Sequence, residues 1–100
     1  MLRAAWVFDC HAPLDAFQRR MELALQRRGF RILPAQAHDF AAHGAGARSY
    51  VKLVHHAWGV QVLAKIKPGL LLSPKAAQQA VWEAAREAQL AMLGVRPPPS

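Results

Sequence analysis

The segment 49–67 constrains the fold more than any other part of this sequence, because it carries two strand-forming runs separated by a turn. Residues 49–57 and 60–67 are rich in β-branched and aliphatic side chains, and Trp58-Gly59 lies between them. In the second run, apolar residues at even positions alternate with Gln, Leu and Lys at odd positions. The pattern predicts a β-hairpin with one buried face and one basic, solvent-facing side.

The segment 13–28 has the periodicity of an amphipathic helix. Pro13 fits the first turn of a helix, and Gly29 follows two arginines at the expected end. The apolar side chains that fall on one helical face are Leu14, Phe17, Met21, Ala24 and Leu25.

A second helix is expected after Ser73, which can cap it, and Pro74, which suits its first position. Gly94 is the expected stop. A stripe of mostly small side chains runs along this helix, with Trp82 and Leu93 beside it: Ala77, Val81, Ala84, Ala85, Ala88 and Met92. Small side chains allow close approach to a sheet or to a partner helix.

Two short apolar runs add strands to the hairpin. Residues 2–8 are apolar on both faces, which predicts a central strand. Residues 30–33 predict a short strand that Pro34 interrupts. The segment 35–47 is rich in Ala, Gly and His without a clear period, so we expect a loop there, with at most an irregular strand near residues 38–40.

The resulting order of elements is β-α-β-β-β-α. It predicts an α+β fold, a two-layer sandwich with a mainly antiparallel sheet of three or four strands and two helices on one face. Residues 1–94 are expected to form one small domain, and residues 95–100 a disordered Pro-rich tail. The other sheet face would be open, presenting Tyr50, Lys52, Val54, Gln61, Leu63, Lys65 and Lys67.

Positive charge is concentrated in the predicted hairpin. The chain of 100 residues has a formal net charge of +7, and no Asp or Glu occurs from Phe40 through Trp82. This stretch instead carries Arg48, Lys52, Lys65, Lys67 and Lys75, together with His43, His55 and His56. Such a surface attracts nucleic acid, acidic proteins or other polyanions.

The single cysteine and the shortness of the apolar runs favour a cytoplasmic protein. Cys10 has no partner for an internal disulfide, which fits a reducing compartment. No run approaches the roughly 20 apolar residues that cross a bilayer, and Asp9 comes too early for a signal peptide. We therefore expect no membrane association.

The candidate nucleic-acid-binding residues lie on the hairpin and on the first helix. They are Arg48, Tyr50, Lys52, Lys65 and Lys67 on the hairpin, and Arg20 and Arg27 on the helix. Phosphates need Lys and Arg on one surface, and an exposed base needs a flat aromatic ring for stacking. The alternative is that these charges only keep an Ala-rich chain in solution, since no recognised RNA- or DNA-binding motif accompanies them.

Cysteine and histidine give a weaker signal. A metal site built from Cys10, His11 and one hairpin histidine is conceivable, but no pair has recognised ligand spacing. A catalytic thiol would need a base and an orienting group, and the six carboxylates are scattered. We therefore predict no catalytic residue, no metal and no cofactor, and a protein that is not an enzyme.

Two functions remain after these exclusions. The leading hypothesis is a small basic binding module that engages nucleic acid or another polyanion through the hairpin face. The alternative is a protein-interaction or self-assembly module without a nucleic-acid role, in which the open sheet face or the Ala-rich helix pairs with another subunit and the charge serves solubility. Possible partners of the basic surface are nucleic acid or an acidic protein. A homo-oligomer, most simply a two-fold dimer, is expected.

Overall fold

The computed structural model describes residues 1–69 and 73–93. Its elements follow the order β1 (Leu2–Phe8), α1 (Leu14–Arg27), β2 (Arg31–Gln36), β3 (Asp39–Gly44), β4 (Ala47–His56), β5 (Gly59–Pro68) and α2 (Lys75–Leu93). The predicted stop at Gly94 and the predicted tail at 95–100 lie outside the described residues.

The five strands form one antiparallel sheet in the order β1-β5-β4-β3-β2, and both helices cover one face of it. The predicted α+β class and the two-layer arrangement are confirmed. The predicted hairpin is the β4-β5 pair, in which His56 lies opposite Gly59 across the turn.

The prediction that residues 2–8 form a central strand is wrong, because β1 is an edge strand beside β5. The prediction was based on apolar residues on both faces of the strand, and the apolar residues of the outward face are Ala5 and Val7. They are exposed rather than buried, whereas Phe8 at the end of the strand is buried against the helices.

The predicted loop at 35–47 is also wrong over most of its length. β2 continues through Pro34 to Gln36, and β3 pairs with both β2 and β4. Two short turns join these strands, and His38 and Ala45 adopt positive φ angles within them. The alternation of β3 is weak in the sequence because half of its six residues are Ala or Gly, but Phe40 and Ala42 point into the core.

Each predicted helix is present. α1 buries the predicted apolar face, and Gly29 follows it with a φ of 86°, a conformation that favours glycine. The Lys75 backbone N–H donates to the Ser73 hydroxyl at 3.2 Å, which caps α2.

The small-residue stripe of α2 packs inside the molecule. Ala77, Val81, Ala84, Ala85 and Ala88 are fully buried between the sheet and α1. The Arg27 guanidinium donates to Glu87 at 2.7 Å and joins the two helices on their exposed side. Since this stripe is already covered within one chain, it does not offer the contact with a second copy that the sequence suggested.

Candidate nucleic-acid interface

The sheet face opposite the helices, hereafter the outer face, is built by the strand alternation. On β4 the outward residues have even numbers, and on β1, β3 and β5 they have odd numbers. All seven residues that the sequence predicted on the open face point outward: Tyr50, Lys52, Val54, Gln61, Leu63, Lys65 and Lys67. No described helix covers them.

One row of directly opposed residues crosses all five strands near the middle of the outer face. Its order from β2 to β1 is Leu33, Ala41, Tyr50, Lys65 and Arg3. Tyr50 is 40% exposed and lies between a small neighbour, Ala41, and a cation, Lys65. The ring is therefore accessible at the centre of the sheet.

A groove of about 730 Å³ follows this row across the sheet. Small or aliphatic residues, including Ala5, Ala41 and Leu63, form its floor. Its lining also includes charged and ring-containing side chains: Arg3, Pro34, Asp39, Tyr50, Lys52 and Lys65. An apolar floor between cations suits a flat, uncharged group attached to an anion.

A second row, hereafter the basic row, runs parallel to the first. It consists of Arg31, His43, Arg48 and Lys67, each directly opposite the next on β2, β3, β4 and β5. At about 4.8 Å between neighbouring strands, the row is roughly 14 Å long. His43, Arg48 and Lys67 also line a cavity of about 680 Å³ beside the β3-β4 turn.

The cations of the outer face are not neutralised within the described residues. Six Lys and Arg side chains belong to this face, namely Arg3, Arg31, Arg48, Lys52, Lys65 and Lys67, and none forms a salt bridge in ranges 1–69 and 73–93. Arg3 and Lys65 are directly opposed, as are Arg48 and Lys67. Like charges in these positions repel, and a bound anion would remove that repulsion.

Asp39 is the one acidic residue on the described part of the outer face. It lies opposite Lys52 and lines the groove, and its Oδ1 atom is buried without a hydrogen-bond partner among the described residues. Oδ1 is therefore out of reach of a ligand in this conformation, and a hydrogen bond from a ligand N–H to this carboxylate would have to go to the other oxygen.

The structure separates the predicted site residues into two groups. Arg48, Tyr50, Lys52, Lys65 and Lys67 share the outer face. Arg20 and Arg27 lie on α1, in the layer on the other side of the sheet, so one flat ligand on the outer face cannot contact both groups. Arg27 is moreover paired with Glu87.

Sequence reasoning did not place three of the basic residues on the outer face. Arg3 and Arg31 belong to the edge strands, and His43 belongs to β3, which was predicted as a loop. Arg3 could have been found from the odd-numbered alternation of β1. The other two required the pairing of β2, β3 and β4, which no local pattern specifies.

The histidines are dispersed. His11 lies 3.9 Å from Asp9, His38 lies 3.3 Å from Asp15, and His43 belongs to the basic row. The His56 ring is 5.2 Å from that of Trp58, which is 72% exposed at the β4-β5 turn. No group of three potential metal ligands converges in the described part of the chain.

Cys10 is a buried core residue, 3% exposed among apolar neighbours. We expect Cys10→Ser to lower the free energy of unfolding by about 1–2 kcal/mol, because a hydroxyl replaces a small apolar group in the core. Oligonucleotide affinity should be unchanged, and a chelator should not shift the melting temperature. A drop of many degrees in chelator, or stoichiometric zinc by elemental analysis, would contradict the absence of a metal site.

Comparisons with protein-family models, with curated proteins and with solved structures found no match. In the ranges 1–69 and 73–93, neither helix has the length and apolar character that spanning a bilayer requires. The geometry of the outer face is therefore what bears on function.

Proposed function

We propose that this protein is a non-enzymatic binding module that engages single-stranded nucleic acid through the outer face. One observation carries the proposal: the outer face has six cations without salt-bridge partners in the described structure, and three of them, Arg3, Lys52 and Lys65, line an apolar groove together with Tyr50. The positive charge supplies affinity for phosphates, and the groove supplies a place for bases.

The groove favours nucleic acid over an acidic protein surface. Acidic side chains would satisfy the cations but have no flat group for the Tyr50 ring or for the floor around Ala41 and Leu63. Nucleobases have such a face, and their exocyclic amino groups are hydrogen-bond donors that suit a carboxylate in the groove lining, which Asp39 supplies.

The position of Tyr50 favours single strands over duplexes. Its ring lies within a broad sheet face rather than at the tip of an element that could enter a groove of a duplex. Bases that are already unstacked can lie flat on a sheet, as stacking on an aromatic side chain requires.

Substitution of Tyr50 tests the proposal. We expect Tyr50→Ala to weaken binding of a fluorescent single-stranded oligonucleotide roughly 5- to 150-fold, because stacking on an aromatic ring contributes about 1–3 kcal/mol per base. Tyr50→Phe keeps the ring and should bind like the wild type. Fluorescence anisotropy at fixed salt measures both variants, and circular dichroism checks that each is folded.

Equal affinities of Tyr50→Ala and the wild type would refute stacking at the groove. Binding of heparin with the same affinity as the oligonucleotide would favour a general polyanion surface instead. A wild-type protein that binds no oligonucleotide at low salt would overturn the proposed function.

A further inference from the structure

The two edges of the sheet differ in how they are protected. At the β2 edge, Pro34 lacks a backbone N–H, and the pairing shifts between Pro34 and Gln36, which bends the strand. β1 has no proline and pairs with β5 in one continuous register over seven residues. Its only charged side chain is Arg3. An edge strand without a proline or a register shift can pair with an additional strand.

We propose that a second copy of this chain pairs with β1 through its free edge, forming a two-fold dimer with one continuous ten-stranded sheet. Within the described residues, no strand pairs with this edge. Main-chain hydrogen bonds between two extended strands would satisfy its free N–H and C=O groups. The proposal does not depend on the nucleic-acid function.

The sequence of β1 is self-complementary in antiparallel pairing centred on Ala5. Ala5 would lie opposite Ala5 of the second copy, and Arg3 of each copy would lie opposite Val7 of the other. No like charges are then directly opposed. Trp6 would lie opposite Ala4, a small residue that leaves space for the indole.

An aromatic pair flanks the same edge on the helical side. Trp82 on α2 is 36% exposed and lines a depression of about 410 Å³ with Trp6, Gln78 and Gln79. A strand added to β1 would bring the second copy against this depression and remove apolar indole surface from water.

The other candidate surfaces for self-association are less suitable. If the outer faces of two copies stacked on each other, the six Lys and Arg side chains of one copy would face the same six of the other. Repulsion between these like charges would disfavour that arrangement. The small-residue stripe of α2 is buried within one chain. Edge pairing instead keeps both outer faces exposed and side by side, so that one sheet carries two basic surfaces.

Sedimentation of the full chain tests the dimer. At tens of micromolar, the wild type should sediment at twice the chain mass of 11.0 kDa. We expect Val7→Lys to weaken the dimer about tenfold or more, because each new lysine would oppose Arg3 of the other copy and repel it. Val7 is 43% exposed, so the folded monomer should tolerate the change.

Opposite charges at the same site identify the register. In the Val7→Glu variant, the new carboxylate would lie opposite Arg3 of the second copy, so the dimer should be kept or strengthened. The double variant Arg3→Glu, Val7→Lys again places opposite charges across the interface and should restore the dimer that Val7→Lys alone weakens. A monomeric wild type, or equal effects of Val7→Lys and Val7→Glu, would overturn the proposal.

A covalent probe gives a second measurement. With an added thiol oxidant, Ala5→Cys in a Cys10→Ser background should form a disulfide-linked dimer, because opposed residues of an antiparallel pair have Cα atoms about 4.5–5.5 Å apart. Val54→Cys in the same background lies on an inner strand and should remain uncrosslinked. Equal crosslinking of the two variants would count against pairing at β1.

Discussion

Gly59→Ala is expected to lower the free energy of unfolding by about 3–5 kcal/mol, which is a large fraction of the stability of a small domain. Gly59 has a φ of 146°, and a methyl group there would overlap the Phe8 carbonyl oxygen and lie 2.8 Å from the Cys10 backbone nitrogen. Both atoms belong to the backbone, so β1 would have to move away from the β4-β5 turn. The expected cost combines left-handed backbone strain with steric overlap.

Gly29→Ala is the matched control. Gly29 also has a positive φ, 86°, but no atom lies within 4 Å of the added methyl group. We therefore expect only the conformational cost of about 1–2 kcal/mol. Urea denaturation followed by tryptophan fluorescence measures both variants. Equal losses would contradict the close approach of β1 to Gly59.

The combined replacement of Lys52, Lys65 and Lys67 by Gln is expected to weaken single-stranded oligonucleotide binding about 100-fold near 0.1 M salt, because each lost phosphate contact removes about 0.7 from the logarithmic salt slope. The slope itself should fall by about two units. Anisotropy titrations at several salt concentrations give both quantities. The three side chains are exposed, so the fold should be retained.

A variant with the same net charge separates a local site from overall attraction. Arg19, Arg20 and Lys75 lie on the helices, are exposed, and form no salt bridge within the described ranges. Their replacement by Gln should change the affinity and the salt slope much less than the outer-face replacement. Equal losses would mean that net charge alone drives binding, and unchanged binding in the outer-face variant would overturn the proposed site.

The proposed dimer is expected to change how the outer face binds long oligonucleotides. Arg3 lies at the β1 end of the groove, and edge pairing would place the two grooves on one sheet. An oligonucleotide long enough to cross both copies should then bind more tightly than one that covers a single groove, since the second contact becomes intramolecular.

The sequence by itself determined the parts of this protein that local patterns encode. The period of α1, with Gly29 at its end, predicted the buried face from Leu14 to Leu25. The alternation on either side of Trp58-Gly59 predicted the hairpin and its basic face, because a strand places successive side chains on opposite faces. Fold class and most of the candidate site follow from these two signals.

Only the tertiary structure decided how the strands are ordered and which cations meet. β1 was predicted as a central strand because its side chains are apolar, but strand position depends on pairing, and β1 pairs only with β5, where Leu2 lies opposite Ile66, 64 residues later in the chain. Half of the residues of β3 are Ala or Gly, so its hydrophobic period is weak, and its pairing with β2 and β4 made it a strand. That pairing aligns His43 with Arg31 and Arg48 in the basic row. No local segment specifies this alignment, because the register between paired strands is set by which side chains the whole core buries.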